Sequence, residues 1–230
     1  PGRMESFSIA VGPTNVADSL AALKRVVFQD KAVTMSELVD VLDSNWEGRE
    51  ELRRKMLAAP KFGNDDDYVD SIAYEVHRRT EEVVEQFSDT YGSDFHLDGS
   101  AVSATYGLSL DTPATPDGRR DGEAFADGSL SPTPGRDVNG PTAVLKSCSK
   151  IDTLTTYNHL LNQKFTPQFL EGANREAFYN YLKTWSDLGV SHIQFNVVDR
   201  QTLIDAQKNP EEHSNLIVRV AGYSAYFIDL

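Results

Sequence analysis

Apolar residues recur at helical spacing through the first third of the chain, and this pattern predicts four amphipathic helices. The predicted helices cover residues 16–29, 34–44, 47–59 and 65–87. Asn15 is predicted to cap the first, and Thr34-Met35-Ser36-Glu37 has the form of a capping box at the start of the second. The fourth begins with three aspartates, which favour a helix N-terminus, and we expect six of its residues to face a core. These are Val69, Ile72, Ala73, Val76, Val83 and Val84.

The pattern changes beyond residue 91, where Gly, Pro, Asp, Ser and Thr dominate up to residue 140. Three Asp-Gly pairs in this stretch are turn signals. Short apolar runs then predict strands at 142–147 and 193–198, and helices are predicted at 174–188, ended by Gly189, and at 202–207. A last strand-like run begins at Leu216. The chain is therefore predicted to be mixed α/β with a helix-rich first half.

Gly222 interrupts the last apolar run, which extends from Leu216 to Leu230. Glycine inside a strand lacks a side chain to pack and loses more backbone entropy than other residues. One interpretation is a bulge glycine in an ordinary strand. The other is chemical: without a Cβ, the Cα can become planar, and the flanking amide and carbonyl groups can delocalise an unpaired electron. The position of the glycine within the apolar run does not decide between these two interpretations.

Composition excludes several classes of partner. The net charge of −13 argues against nucleic acid, which requires clustered Lys and Arg. No apolar run approaches the roughly 18–20 residues of a membrane span, so no membrane association is expected. A single cysteine excludes an internal disulfide framework and favours a reducing, cytoplasmic setting.

The sequence from Arg219 to Ala225 resembles the radical-bearing loop of the glycyl radical enzymes, the superfamily that includes pyruvate formate-lyase. Further stretches resemble the family's approach to that loop in the same order. They are residues 114–120, 125–132, 139–147, 161–165 and 194–198. Residues 15–20 and 60–66 also resemble the family, less sharply.

The resemblance implies an α/β fold, the C-terminal portion of a ten-stranded α/β barrel, with the radical-bearing glycine loop near the C-terminus. It implies two regions: residues 1–112 from the barrel domain and residues 113–230 as the glycine radical domain, truncated at its end. The polar stretch before residue 140 is then expected to be an ordered layer leading into the radical domain. Because the family's enzymes are much longer, we expect this chain to be a fragment.

By the same resemblance, Gly222 is the catalytic residue. A radical S-adenosylmethionine activating enzyme removes one of its α-hydrogens, and the radical is this post-translational modification, with no other cofactor bound. Arg219, Val220, Ala221, Tyr223, Ser224 and Ala225 are expected to shape the loop. The loop resembles the branch of lyases, dehydratases, decarboxylases and fumarate-adding synthases more than pyruvate formate-lyase itself. The family also implies a small organic substrate, a homodimer of the full-length protein, and an anaerobic, oxygen-sensitive enzyme.

Other candidate sites are weaker. Cys148 lies in the approach to the radical loop, away from the family's cysteine position, and is expected to be a packed small residue. The catalytic cysteine and its acid-base glutamate are therefore expected outside this chain. The five histidines show no metal-ligand spacing and are interpreted as surface or satisfied core residues. The acidic run 64–67 is attributed to helix capping, and no nucleotide-binding motif occurs.

Two other functions remain open. The chain could be a stand-alone radical-carrying subunit that complements a cysteine-bearing partner, which the missing cysteine loop favours. It could also be a non-catalytic interaction domain, which leaves the order of the motifs unexplained.

Overall fold

A computed structural model of the chain describes residues 6–99, 104–152, 158–220 and 223–229. The helices are α1 (Pro13–Ala22), α2 (Met35–Asp43), α3 (Glu50–Ala58), α4 (Asp67–Val84), α5 (Ala104–Leu110), α6 (Pro141–Ser149), α7 (Asn174–Leu188) and α8 (Arg200–Lys208). The strands are β1 (Ser6–Ile9), β2 (Phe95–Asp98), β3 (Leu161–Phe165), β4 (Ile193–Val197), β5 (Ile217–Val220) and β6 (Tyr223–Tyr226). Over the described residues these strands form three two-stranded sheets, β1–β2, β3–β4 and β5–β6.

The helix-rich first half is confirmed, with one change at its start. α1 begins at Pro13, directly after Gly12 in the left-handed conformation. Asn15 is therefore a buried residue inside the helix and does not cap it. The second part of the predicted helix is not α-helical: residues 23–29 continue α1 as a π-helix. The capping box of α2 is present, with the amide of Glu37 donating to Thr34 Oγ1 and the amide of Thr34 donating to Glu37 Oε2.

α4 is the longest described helix and contributes to the main core. The amide of Tyr68 donates to Asp66 Oδ1 at 2.9 Å, so the aspartates cap this helix as predicted. Val69 and Ala73 are buried as expected. Val83 is 54% exposed, contrary to the prediction, because it lies in the last turn, beyond the part of the helix that packs on the core.

The strand predicted at Thr142–Ser147 is wrong, because these residues lie in helix α6. Gly140 adopts a positive φ of 83° and Pro141 occupies the first turn, a combination that starts a helix. Val144, Leu145 and Cys148 are fully buried. Residues 145 and 148 follow residue 144 by one and four positions, so all three lie on one face of the helix. In so short a run, this apolar pattern resembles that of a buried strand.

β3, α7 and β4 form a βαβ unit. The two strands pair in parallel, with Leu161 opposite Ile193, as a helical crossover allows. α7 covers this pair with an aromatic cluster in which Phe165 lies 5.3 Å from Tyr181 between ring centroids. Gly189 ends α7 in the left-handed conformation, as predicted. The predicted strand at 193–198 and the predicted helix at 202–207 are both observed, as β4 and α8.

The main core joins the two halves of the chain. Ala17, Val69 and Ala73 from the first half pack in one cluster with Leu130 and Leu145 from the second. A separate cluster around Trp46 is built from residues 22–59 together with Ala114. Over the residues that the structure describes, no helix is both long and apolar enough to cross a membrane.

Candidate functional site

The predicted radical loop lies in the β5–β6 hairpin. The strands pair antiparallel, and Val220 and Tyr223 form their last pair. Ala221 and Gly222, which come between these two in the sequence, lie outside the described residues, as do the side chains of Arg219, Val220 and Tyr223. Ser224 is exposed and Ala225 is half-buried. The strand predicted to lead into the glycine is therefore observed as β5, and it is one arm of a hairpin.

Helix α8 and the turn after it hold the base of this hairpin. Asp199 caps α8 by accepting hydrogen bonds from the Thr202 amide at 2.8 Å and the Thr202 hydroxyl at 2.7 Å. Asp205 accepts a hydrogen bond from Asn209 Nδ2 at 2.9 Å and lies 2.7 Å from His213 Nε2. The hydrogen bonds with His213 and Asn209 lower the pKa of Asp205.

Two main-chain hydrogen bonds connect that turn to the hairpin. The Leu216 amide donates to the His213 carbonyl at 2.9 Å, and the Phe227 amide donates to the Leu216 carbonyl at 2.8 Å. The second bond closes the hairpin at its open end. The base of the hairpin is thus held by backbone geometry and one carboxylate-centred cluster.

A buried polar network connects α1 to the stretch 113–140, which we call the belt. Asn15 Nδ2 donates to Asp117 Oδ2 at 2.9 Å, and the Ala126 amide donates to Asn15 Oδ1 at 2.9 Å. Asp18 accepts hydrogen bonds from the Phe62 amide at 2.8 Å and from Thr133 Oγ1 at 2.9 Å. Burial raises the pKa of Asp18 to about 7, against the opposing effect of these bonds and of nearby Lys61. The belt is thus an ordered layer, as predicted.

Arg119 stabilises the shape of the belt. Its guanidinium donates to the carbonyls of Ser109, Thr112, Pro113 and Arg120 and lies 4.5 Å from the ring centre of Phe125. Main-chain carbonyls hold both terminal nitrogens of this guanidinium, whereas its buried Nε has no hydrogen-bond partner. Arg119 therefore has a structural role in the belt. The stretch 114–120 therefore shapes the belt.

Cys148 is a packed structural residue, as predicted. It is fully buried in α6, and its thiol donates to the Leu130 carbonyl at 3.4 Å. Burial raises the pKa of this thiol, which keeps it protonated and unreactive.

The acidic run before α4 forms ion pairs as well as caps. Lys150 Nζ lies 2.7 Å from Asp67 and 2.8 Å from Asp70, and Lys146 Nζ lies 2.9 Å from Asp65. These pairs join the start of α4 and the residue before Asp66 to the end of α6 and the residue after it. The attribution to capping is therefore correct but incomplete.

Two histidines depart from the sequence interpretation. His77 and His159 are buried with ring centroids 5.2 Å apart. His77 Nδ1 and His159 Nε2 have no hydrogen-bond partner, so these two are not fully satisfied core residues. Burial lowers the pKa of His77 to about 3 and that of His159 to about 4, so both rings are neutral near pH 7.

Sequence reasoning also did not predict a group of potential metal ligands. Glu81, Glu85 and His96 lie close enough to share a metal ion, although they come from two different elements.

Two family models match the chain in sequence. Residues 4–108 match pyruvate formate lyase-like proteins, and residues 126–228 match the glycine radical family. The second match includes Gly222 and both strands of the hairpin.

Individual relatives agree with these matches. The chain is 42% identical over 228 residues to isethionate sulfite-lyase of Bilophila wadsworthia, covering 96% of this chain and 27% of that protein. It is 38% identical over 222 residues to trans-4-hydroxy-L-proline dehydratase of Clostridioides difficile, covering 96% of this chain and 28% of that protein. Its fold matches the glycerol-bound B12-independent glycerol dehydratase of Clostridium butyricum with a TM-score of 0.93 and 41% identity, covering 98% of this chain and 29% of that chain.

The chain belongs to the glycyl radical enzyme superfamily and has the fold of part of those enzymes. It spans about a quarter to a third of the length of the relatives it matches. The boundary between residues 112 and 113 and the roles assigned to the radical-loop residues stay predictions.

Proposed function

We propose that this chain carries the radical-storing glycine, Gly222, of an anaerobic enzyme that performs radical lyase or dehydratase chemistry on a small organic substrate. The observation that carries this proposal is the glycine radical match over residues 126–228, which includes the hairpin whose paired ends bracket residues 221 and 222. A cytoplasmic homodimer of the full-length protein is part of the proposal.

The chemistry is an exchange of hydrogen atoms. A radical S-adenosylmethionine activating enzyme removes one α-hydrogen atom from Gly222 and leaves the unpaired electron on Cα. Gly222 then takes the S–H hydrogen atom of a cysteine in the complete enzyme, which leaves a thiyl radical. The thiyl radical takes a hydrogen atom from the substrate, the substrate radical loses its leaving group, and the product radical takes the hydrogen atom back from the sulfur. Finally the thiyl radical recovers a hydrogen atom from the Gly222 Cα, and the radical is again stored on Gly222. Cys148 is excluded from this role by its burial and packing in α6.

The names of the relatives support the reaction class. A sulfite-lyase and two dehydratases all eliminate a small group from an organic molecule. The identity to these proteins lies near 40%, so we assign the class of reaction and not a particular substrate.

A stand-alone radical subunit is the second candidate. The observation that favours it is that the chain's single cysteine, Cys148, is buried, so a cysteine-bearing partner would have to supply the thiyl radical. The complete gene separates the two functions. A Gly-Cys-x-Glu loop upstream in the same reading frame would support the single-chain enzyme, and its absence would support the subunit.

Oxygen-dependent cleavage tests the assignment of Gly222. The protein expressed from its complete gene is activated without oxygen, exposed to air, and analysed by mass spectrometry. We expect cleavage of the backbone at Gly222, and no cleavage in Gly222→Ala. Gly107→Ala is the matched control, because a Cβ at Gly107 meets no atom within 4 Å, and this variant should still be cleaved. Cleavage that persists in Gly222→Ala would contradict the assignment.

A further inference from the structure

Three potential metal ligands meet where α4 ends and β2 begins. Glu81 and Glu85 are four residues apart, so they lie on one face of the helix end. His96 belongs to β2, and its backbone is fixed by pairing with Phe7 of β1. One ligand atom from each of the three side chains lies within 4.8 Å of the other two.

The carboxylate of Glu81 is the unusual member of this group. Its side chain is only 5% exposed. Oε2 accepts a hydrogen bond from the Leu97 amide at 3.0 Å, whereas the buried Oε1 has no hydrogen-bond partner. Oε1 lies 4.0 Å from His96 Nδ1, so the unsatisfied oxygen faces the other ligands. Leaving a buried carboxylate oxygen unpaired is costly, and a cation at this point would remove that cost.

We propose that Glu81, Glu85 and His96 bind one divalent first-row transition-metal ion, with Zn²⁺ as the best fit. An imidazole nitrogen with two carboxylate oxygens is a ligand set that zinc accepts, and three protein ligands leave the fourth position for water. Calcium and magnesium prefer oxygen ligands alone, so His96 selects against them.

The geometry requires a small contraction. Zinc–ligand bonds of about 2.0–2.1 Å place two tetrahedral ligands about 3.4 Å apart, compared with 4.0 Å between Glu81 Oε1 and His96 Nδ1. Glu85 is exposed and can rotate toward the ion without disturbing the core. Glu81 and His96 thus provide the rigid part of the site, and Glu85 completes it.

The bound ion has a structural consequence. It ties the C-terminal end of α4 to β2, and through strand pairing to β1. An ion that binds only the folded arrangement stabilises it in proportion to its concentration and affinity. The site is independent of Gly222 and of the proposed radical chemistry.

A simple ion pair is the competing explanation for part of this cluster. Glu81 Oε1 and His96 Nδ1 lie 4.0 Å apart and could interact directly without a metal. A contact between those two side chains needs no third ligand, so the zinc affinity of Glu85→Gln separates the two explanations. Because Glu85 is exposed, this variant should fold normally.

Zinc binding is measured on the chelator-treated protein expressed from its complete gene, by competition with a chromophoric chelator. We expect one zinc ion per chain at this site, and at least tenfold weaker binding in Glu81→Gln, Glu85→Gln and His96→Gln. His213→Gln is the matched control, because His213 also pairs with a carboxylate, Asp205, but belongs to no group of three ligands among the described residues. Its zinc affinity should equal that of the unmodified protein.

Hydrogen exchange provides a readout that needs no substitution. Zinc should slow amide exchange in peptides that cover Glu81 to Leu97, and millimolar Mg²⁺ should not. No zinc-dependent protection there would overturn the proposal, as would unchanged affinity in Glu85→Gln or an equal loss of affinity in His213→Gln.

Discussion

The part of the chain from α1 to β4 and the part from α8 to β6 are built differently, although both belong to the same fold. The first contains two apolar clusters, and the larger one joins residues as distant in sequence as Ala17 and Ile193. In the second, Ala206 is the last buried residue among those whose burial the structure describes. We call the first part the platform and the second the hairpin region.

Within this chain, the two regions are held by different kinds of contact. The platform is fixed by long-range burial and by buried hydrogen bonds such as that between Asn15 and Asp117. The hairpin region depends on strand pairing and on local bonds around Asp205. Segments with few buried apolar contacts open at lower free energy than the core.

The largest expected contrast comes from truncating one apolar side chain in each region. Leu130→Ala removes a fully buried side chain from the main cluster. It should lower the free energy of unfolding by about 2–5 kcal/mol. Ile217→Ala, in β5, changes a side chain that is 58% exposed and should stay within about 0.5 kcal/mol. Urea denaturation of the purified chain measures both, and equal losses would contradict the division into two regions.

A methyl group added at two glycines gives the next contrast. A Cβ at Gly128 would lie 2.5 Å from the Leu160 carbonyl oxygen and 2.6 Å from Ser131 Oγ. Gly128→Ala should therefore destabilise the platform by about 1–3 kcal/mol through overpacking. Gly107→Ala has open space and should be neutral or stabilise α5 by up to about 1 kcal/mol. A tolerated Gly128→Ala would show that the belt does not pack closely on the chain before β3.

The buried histidines should make the platform acid-sensitive. Their folded pKa values of about 3 and about 4 lie below the ordinary value of 6.5, so protons bind the unfolded chain more readily. The stability that these neutral rings contribute is complete above pH 6.5 and is lost as the pH falls toward 3. In His77→Leu, the free energy of unfolding should therefore fall less steeply between pH 6.5 and 4. Urea denaturation at a series of pH values measures this slope.

His192→Gln serves as the control for that experiment, because His192 is exposed and the slope should not change. A slope in His77→Leu equal to that of the unmodified chain would refute the role of the buried pair.

The smallest effects distinguish helix caps in the two regions. Thr34→Ala removes the capping box of α2 and should lower the global free energy of unfolding by about 1 kcal/mol. Asp199→Ala removes the cap of α8 and should speed hydrogen exchange within α8 while leaving the global unfolding midpoint nearly unchanged. A global shift as large as that of Thr34→Ala would place α8 in the same cooperative unit as the platform.

Local signals predicted much of the fold. The capping box at Thr34, the aspartates before α4 and Gly189 after α7 each act within a few residues, and each is observed as predicted. The strand wrongly predicted at α6 shows that an apolar pattern in a short run does not distinguish a strand from a helix. Gly140 followed by Pro141 was the local signal for a helix start there. Asn15 was misassigned because its partners, in the belt, lie more than 100 residues away.

The candidate sites also differ in whether local sequence could predict them. The glycine loop could be found because its residues are contiguous in the sequence. The group of Glu81, Glu85 and His96 could not, because no metal-ligand spacing connects a helix end to a strand that folds back beside it. The missing hydrogen bonds of His77 and His159 likewise depend on tertiary packing.

Electron paramagnetic resonance of the activated protein tests the radical on Gly222 most directly. The protein is expressed from its complete gene, activated without oxygen, and compared after growth on ordinary and on Cα-deuterated glycine. We predict a doublet from the one remaining α-hydrogen, its collapse on deuteration, and its absence in Gly222→Ala. A doublet that deuteration leaves unchanged, or one that persists in Gly222→Ala, would contradict the assignment.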